Sequence, residues 1–227
     1  MDHLLTKKYD NDFTLKYRKL TLFLLAASIF QLSNTPWIEQ HLGAEYILVP
    51  SPPDNKRLRQ WCPRFLCTLV SNKNPRLQSE NIVALGILIL ELETQRKANW
   101  ADDDKEWPSM EKSNRVRLAR ILRHWSDDVR DEYRTVATAC FYFDSLLENL
   151  DHPEIICEKR GLAVIYKCIL EPLFLHITTC FGDLATHING VCGLAHSLAA
   201  PLNISPSGTR KQVLFDDNDS SPKEDDQ

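Results

Sequence analysis

Glycine is scarce in this chain: seven in 227 residues, with Gly190 and Gly193 the closest pair. A loop that wraps phosphate with backbone N–H groups needs clustered glycines, so neither a Walker loop nor a kinase-type phosphate loop is present. Basic charge is not in excess. The net charge is -4, and Asp216–Gln227 holds six acids against one Lys, which leaves residues 1–215 at +1. A broad nucleic-acid footprint needs a clustered basic surface, and that class is excluded. No CxxC pair, HExxH or GxSxG occurs, so the usual signatures of a zinc site, a zinc protease and a nucleophile elbow are missing.

The apolar run nearest the N-terminus is also short of what a bilayer needs. Leu20–Leu32 (LTLFLLAASIFQL) follows Lys16, Arg18 and Lys19, as an anchor would. It contains Thr21, Ser28 and Gln31 and meets Ser33, Asn34 and Pro36 before reaching the ~20 apolar residues of a span. It begins late for a secretory signal. The expectation is a protein without a membrane span. Seven cysteines, an odd number, mostly lie among apolar residues and read as small core groups in a reducing, cytoplasmic setting.

Proline is absent from 1–35, 76–107, 109–152, 154–171 and 173–200, and these gaps are where helices are expected. The first should run from about Leu15 to Ser33. A second should be opened by Ser79 as N-cap with Glu80 in its first turn. Leu118, Leu122, Trp125, Val129, Tyr133, Val136, Cys140, Phe143 and Leu147 step by three and four, with a break at Ser126-Asp127-Asp128. A further helix should follow Pro153 and bend or end at Pro172; a weaker one covers Asp183–Ala199. Tyr46–Val49 is the best strand, and Pro50–Asn74 reads as irregular. From Asn203 the chain is polar and acidic, with the composition of a disordered tail. The expected layout is an extension over 1–14, a helical domain over 15–200 and the tail over 201–227.

Within the second helix, Ile82–Leu92 (IVALGILILEL) holds one Glu among apolar residues and Gly. A helix without a polar face must be surrounded by protein. The wording "NIVALGILILEL" resembles the central buried helix of the protein-kinase large lobe, with Asn81 at the position of an Asp, Gly86 at that of a Gly, and Leu88 in the apolar run. Trp37-Ile38 and Tyr46–Val49 match the two ends of the kinase catalytic-loop pattern. The pair "LLAASIFQLSNTPWI" and "NIVALGILILELETQR" is similar to a fungal family of degenerate kinase-like domains, often found after HeLo-type prion-inhibition domains in incompatibility and defence proteins. The resemblance extends over Leu15–Leu175.

That resemblance implies a mainly α fold like a kinase large lobe without its nucleotide-binding lobe. It also implies a non-catalytic, pseudokinase-like interaction module acting through other proteins. Where the kinase loop carries its base, this chain reads Ile38-Glu39-Gln40-His41; no Asp-Phe-Gly lies between Val49 and Ser79, and no Val-Ala-Ile-Lys strand precedes the first helix. Phosphoryl transfer needs those groups, so neither enzyme activity nor a cofactor is expected.

Three other groupings stand out in the sequence. His176/Cys180 and Cys192/His196 have the i,i+4 spacing of metal ligands on a helix, yet read as helix faces with Cys toward the core. Asp102-Asp103-Asp104, between Trp100 and Trp107, reads as a solvated loop. Lys211-Gln212-Val213-Leu214-Phe215 resembles the Lys/Arg-x-Val-x-Phe peptide docked by a protein-phosphatase catalytic subunit, with Lys211, Val213 and Phe215 as the contacting residues. This gives the alternative of an adaptor that recruits a phosphatase.

Overall fold

The computed structural model describes residues 14–33, 42, 47–48, 64–65, 76–149, 157–184 and 188. The chain divides into a unit Met1–Gly193, to which all of these belong, and a unit Leu194–Gln227 outside them. The described part of the first unit is mainly helical. Its helices are α1 (Leu15–Leu32), α2 (Arg76–Thr94), α3 (Asn114–His124), α4 (Asp131–Phe141), α5 (Phe143–Glu148), α6 (Cys157–Ile165) and α7 (Glu171–Cys180). Two-residue strands form two antiparallel pairs: β1 (Ile47–Leu48) with β2 (Arg64–Phe65), and β3 (Lys105–Glu106) with β4 (Glu111–Lys112).

Helix α2 is the axis. It packs on α1, α3, α4 and α5, and every residue from Asn81 to Leu92 is buried. This is the encased helix that its all-round apolar surface demands. Gly86 is where the neighbours come closest. A Cβ there would lie 2.9 Å from both the Cβ of Cys140 on α4 and a methyl of Leu118 on α3, and 3.4 Å from the carbonyl oxygen of Ala137. The bare Cα lets three helices meet at one level.

The apolar run of α1 is enclosed by protein as well, with Leu20, Leu22–Ala27 and Ile29 buried. Phe23 meets Phe174 with ring centres 5.9 Å apart, and Phe30 meets Tyr166 at 6.4 Å, which seats α1 against the α6–α7 rod. By length and composition alone, Lys159–Cys180 could cross a membrane. Here Ile169, Leu170, Leu173 and Ile177 are buried, and α7 packs on α1 and α4.

Four local features differ from the sequence expectations. The second helix starts at Arg76, so Ser79 lies inside it and its hydroxyl donates to Asp144 of α5 at 2.7 Å. Pro172 does not end its helix, which runs on to Cys180: a π turn over Tyr166–Leu170 precedes it, and the Glu171 N–H bonds the Tyr166 carbonyl five residues back. That wider turn relieves the clash between a proline ring and the carbonyl four residues before it. Arg64–Phe65, inside the segment read as irregular, pairs with Ile47–Leu48, because a strand partner is chosen across space. Asp104 is fully buried rather than solvated, while Asp102 and Asp103 are exposed. The break at Ser126–Asp128 is present as one 3-10 turn.

Candidate functional site

Asn81, Glu91 and Glu93 of α2 face inward, and each holds a different part of the domain. At its start Asn81, 1% exposed, accepts the backbone N–H of Leu42 through Oδ1 at 2.7 Å. At its end Gln95 takes the left-handed conformation, φ 54, that turns the chain out of the helix. The Glu91 carboxylate accepts the N–H of Ala98 just beyond, at 2.8 Å. Arg117 of α3 lies 3.5 Å from that carboxylate and donates to the Ala98 carbonyl at 2.7 Å. Arg120, one turn on, closes Nε and Nη2 on Asp104, each at 2.7 Å. Arg120 holds the Asp104 carboxyl below the usual carboxylate range, chiefly through these hydrogen bonds.

A second centre lies where α1, α2, α4 and α7 meet. Lys19 of α1 is 1% exposed. Its ammonium pairs with Glu93 of α2 and sits 3.4 Å from the centre of the Tyr133 ring on α4. Burial lowers the Lys19 pKa from 10.5 to about 8, against the opposing pull of Glu93. Arg130 approaches Glu93 from the surface at 3.6 Å. His176 of α7 meets the Tyr133 ring edge-on, centres 5.0 Å apart, and its pKa is lowered, first by burial and then by the Lys19 charge. The Tyr133 hydroxyl is buried with no hydrogen-bond partner among the described residues, and burial raises its pKa far above the ordinary value.

What this arrangement can do follows from its access. An amine poised near neutrality suits covalent chemistry, but Lys19 is walled in and reaches no surface where a substrate would sit. The centre joins four helices through one ion pair and one cation–π contact. Cys140, behind Gly86, is fully buried and its thiol pKa is pushed up strongly by desolvation, as its apolar surroundings predict.

Of the residues singled out in the sequence, Asn81, Gly86 and Leu88 all lie on the buried stretch of α2. Trp37 lies outside the described residues, as do Glu39, His41 and the tail positions Lys211, Val213 and Phe215. His176 and Cys180 do approach, Nε2 to Sγ 3.7 Å, but Cys180 is exposed rather than turned to the core; His187, Cys192 and His196 are outside the described residues. Among the described residues no three His, Cys, Asp or Glu side chains converge as a metal site would require. The meeting of Lys19, Glu93 and Tyr133 has no direct signature in the sequence. The available signal was a Lys directly before an apolar run, which a buried helix tolerates only if the charge is met.

Residues 1–180, through the last residue of α7, match the family described as Domain of unknown function (DUF7580). The chain belongs to that family. No curated protein and no solved structure matches it. The DUF7580 match takes in every side chain of both centres, Asn81, Glu91 and Glu93 of α2 included.

Proposed function

We propose that this DUF7580 domain is a non-catalytic, pseudokinase-like module for binding other proteins, built like a kinase large lobe and acting in fungal incompatibility or defence signalling. The observation that carries the reading is the Asn81–Leu42 bond. Asn81 stands at the Asp position of the kinase-like helix motif, is buried, and holds the backbone of the segment that follows α1. A buried side chain that clamps a connector to a central helix is what a scaffold requires. The charged groups around α2 support the same reading, because Glu91, Glu93 and Lys19 are engaged by internal partners. The biological setting rests on the resemblance of the α1 and α2 segments alone.

Titration calorimetry with ATP and magnesium tests the non-catalytic half. No saturable binding at sub-millimolar concentration is expected, and binding abolished by changing Glu39 or His41 would overturn it. A second reading is favoured by Lys211–Phe215: an adaptor that brings a protein phosphatase to the module. A pull-down with the phosphatase catalytic subunit, lost in the Val213→Ala/Phe215→Ala chain, would support it.

A further inference from the structure

The stretch between α2 and α3 carries a short prong. β3 and β4 pair so that Lys105 lies opposite Lys112 and Glu106 opposite Glu111. Between them the turn Trp107-Pro108-Ser109-Met110 holds the two most exposed large apolar side chains among the described residues: Trp107 at 84% and Met110 at 59%. Tryptophan is rarely left in water to this extent, since its ring carries a large burial free energy.

The mount is rigid. Asp104, the residue before β3, is buried and gripped by Nε and Nη2 of Arg120, accepts the Ala101 N–H at 2.8 Å, and through its carbonyl takes the Ser113 N–H after β4. At the tip the Met110 N–H bonds the Glu106 carbonyl at 2.7 Å, and the Ser109 hydroxyl donates to that same carbonyl at 3.1 Å. Met110 takes φ 58, a left-handed conformation that few non-glycine residues adopt. A Trp on a fixed turn loses little freedom on binding, which is what makes an anchor residue effective.

The charges say what kind of surface would receive it. Like charges directly opposite one another repel across a hairpin. On one face Lys112 has a partner, lying 5.6 Å over the Trp100 ring. On the other, next to the turn, Glu106 and Glu111 have no ion-pair partner among the described residues. Two neighbouring carboxylates beside an exposed Trp are repelled by an anionic lipid surface and drawn to guanidinium or ammonium groups.

We propose that the 105–112 hairpin is a docking prong that seats Trp107, with Met110 of the same turn, in an apolar pocket of a partner protein rimmed by Arg or Lys facing Glu106 and Glu111. The proposal rests on the interaction-module reading and gives that module a specific surface.

Photocrosslinking of the full chain tests it. Benzoylphenylalanine at position 107 keeps the aromatic bulk, and the chain is irradiated in extract of the source cells. The expected product is a protein adduct whose crosslinked peptide is apolar and flanked by Arg or Lys. Excess unlabelled wild-type chain should compete it away, at a concentration at least tenfold lower than Trp107→Ala chain requires. Adding Glu106→Lys/Glu111→Lys to the labelled chain should weaken the adduct at least tenfold. Circular dichroism should show all variants folded, because the changed side chains are exposed. An adduct to lipid, to a second copy of this chain, or to a protein indifferent to these changes would overturn the prong, as would no adduct. Labels at the exposed Tyr142 and Leu175 separate the two readings. Protein adducts there with none at 107 would leave an interaction module without this surface, whereas silence at all three positions would remove both.

Discussion

The ammonium of Lys19 lies 3.4 Å from the centre of the Tyr133 ring, and the hydroxyl of the same Tyr133 is buried without a hydrogen-bond partner among the described residues. The ring face is the useful part of this side chain. It offers negative electrostatic potential to a cation that burial has stripped of water, while Glu93 supplies the full opposite charge. The hydroxyl contributes only its desolvation cost.

Tyr133→Phe should therefore stabilise the fold by about 1 kcal/mol, because it removes an unsatisfied buried group and keeps the ring. Tyr133→Leu should destabilise it by about 2 kcal/mol or more, through lost aromatic burial and the lost cation contact. Urea unfolding of the two variants checks the pair. Equal destabilisation by both would show that the hydroxyl is satisfied.

The pH dependence should carry the signature of Lys19. Its folded pKa of about 8 lies below the ordinary 10.5, so between those values the unfolded chain binds more protons and stability rises with pH. Cys140 and Tyr133 act the other way, because their folded pKa values are raised; their contribution is lost as pH climbs past about 9 and about 10. Those losses are common to wild type and Lys19→Met. Relative to Lys19→Met, wild type should gain about 1–2 kcal/mol between pH 7.5 and 9.5, given ~1.4 kcal/mol per pKa unit. Denaturant titrations at the two pH values measure it, and a constant difference would mean that Lys19 keeps its ordinary pKa.

Gly86→Ala sets two effects against each other. Alanine favours a helix over glycine by about 1 kcal/mol. The new methyl would meet the Leu118 methyl, which can rotate away, and the Cys140 Cβ, which moves only with the α4 backbone, both at 2.9 Å. Overpacking of this kind costs about 1–3 kcal/mol, so a net loss of about 1 kcal/mol and a fall of a few degrees in Tm are expected. A rise in Tm would show that α4 is free to shift.

Asn81→Ala leaves the Leu42 N–H without its acceptor and should cost about 1–3 kcal/mol. Asn81→Asp keeps an acceptor oxygen at the same place and should preserve the protection of that amide. Hydrogen exchange at Leu42 reads the difference. Equal protection in all three proteins would remove the clamp on which the scaffold reading stands.

The sequence by itself determined where most helices lie and which of them is central. Proline-free stretches, the three-and-four steps from Leu118 to Phe143, and the run Ile82–Leu92 are local patterns, and helices are made by local bonds. Only the tertiary structure decided which charge meets which. Lys19 and Glu93 are 74 positions apart, Leu42 and Asn81 are 39 apart, and the partner at 64–65 of the strand expected over 46–49 has no alternating pattern to announce it. Such partners are set by how helices cross and how closely Gly86 lets them approach. The exposed Trp107 was invisible for the same reason: an apolar residue in a sequence reads as core until the fold shows that nothing covers it.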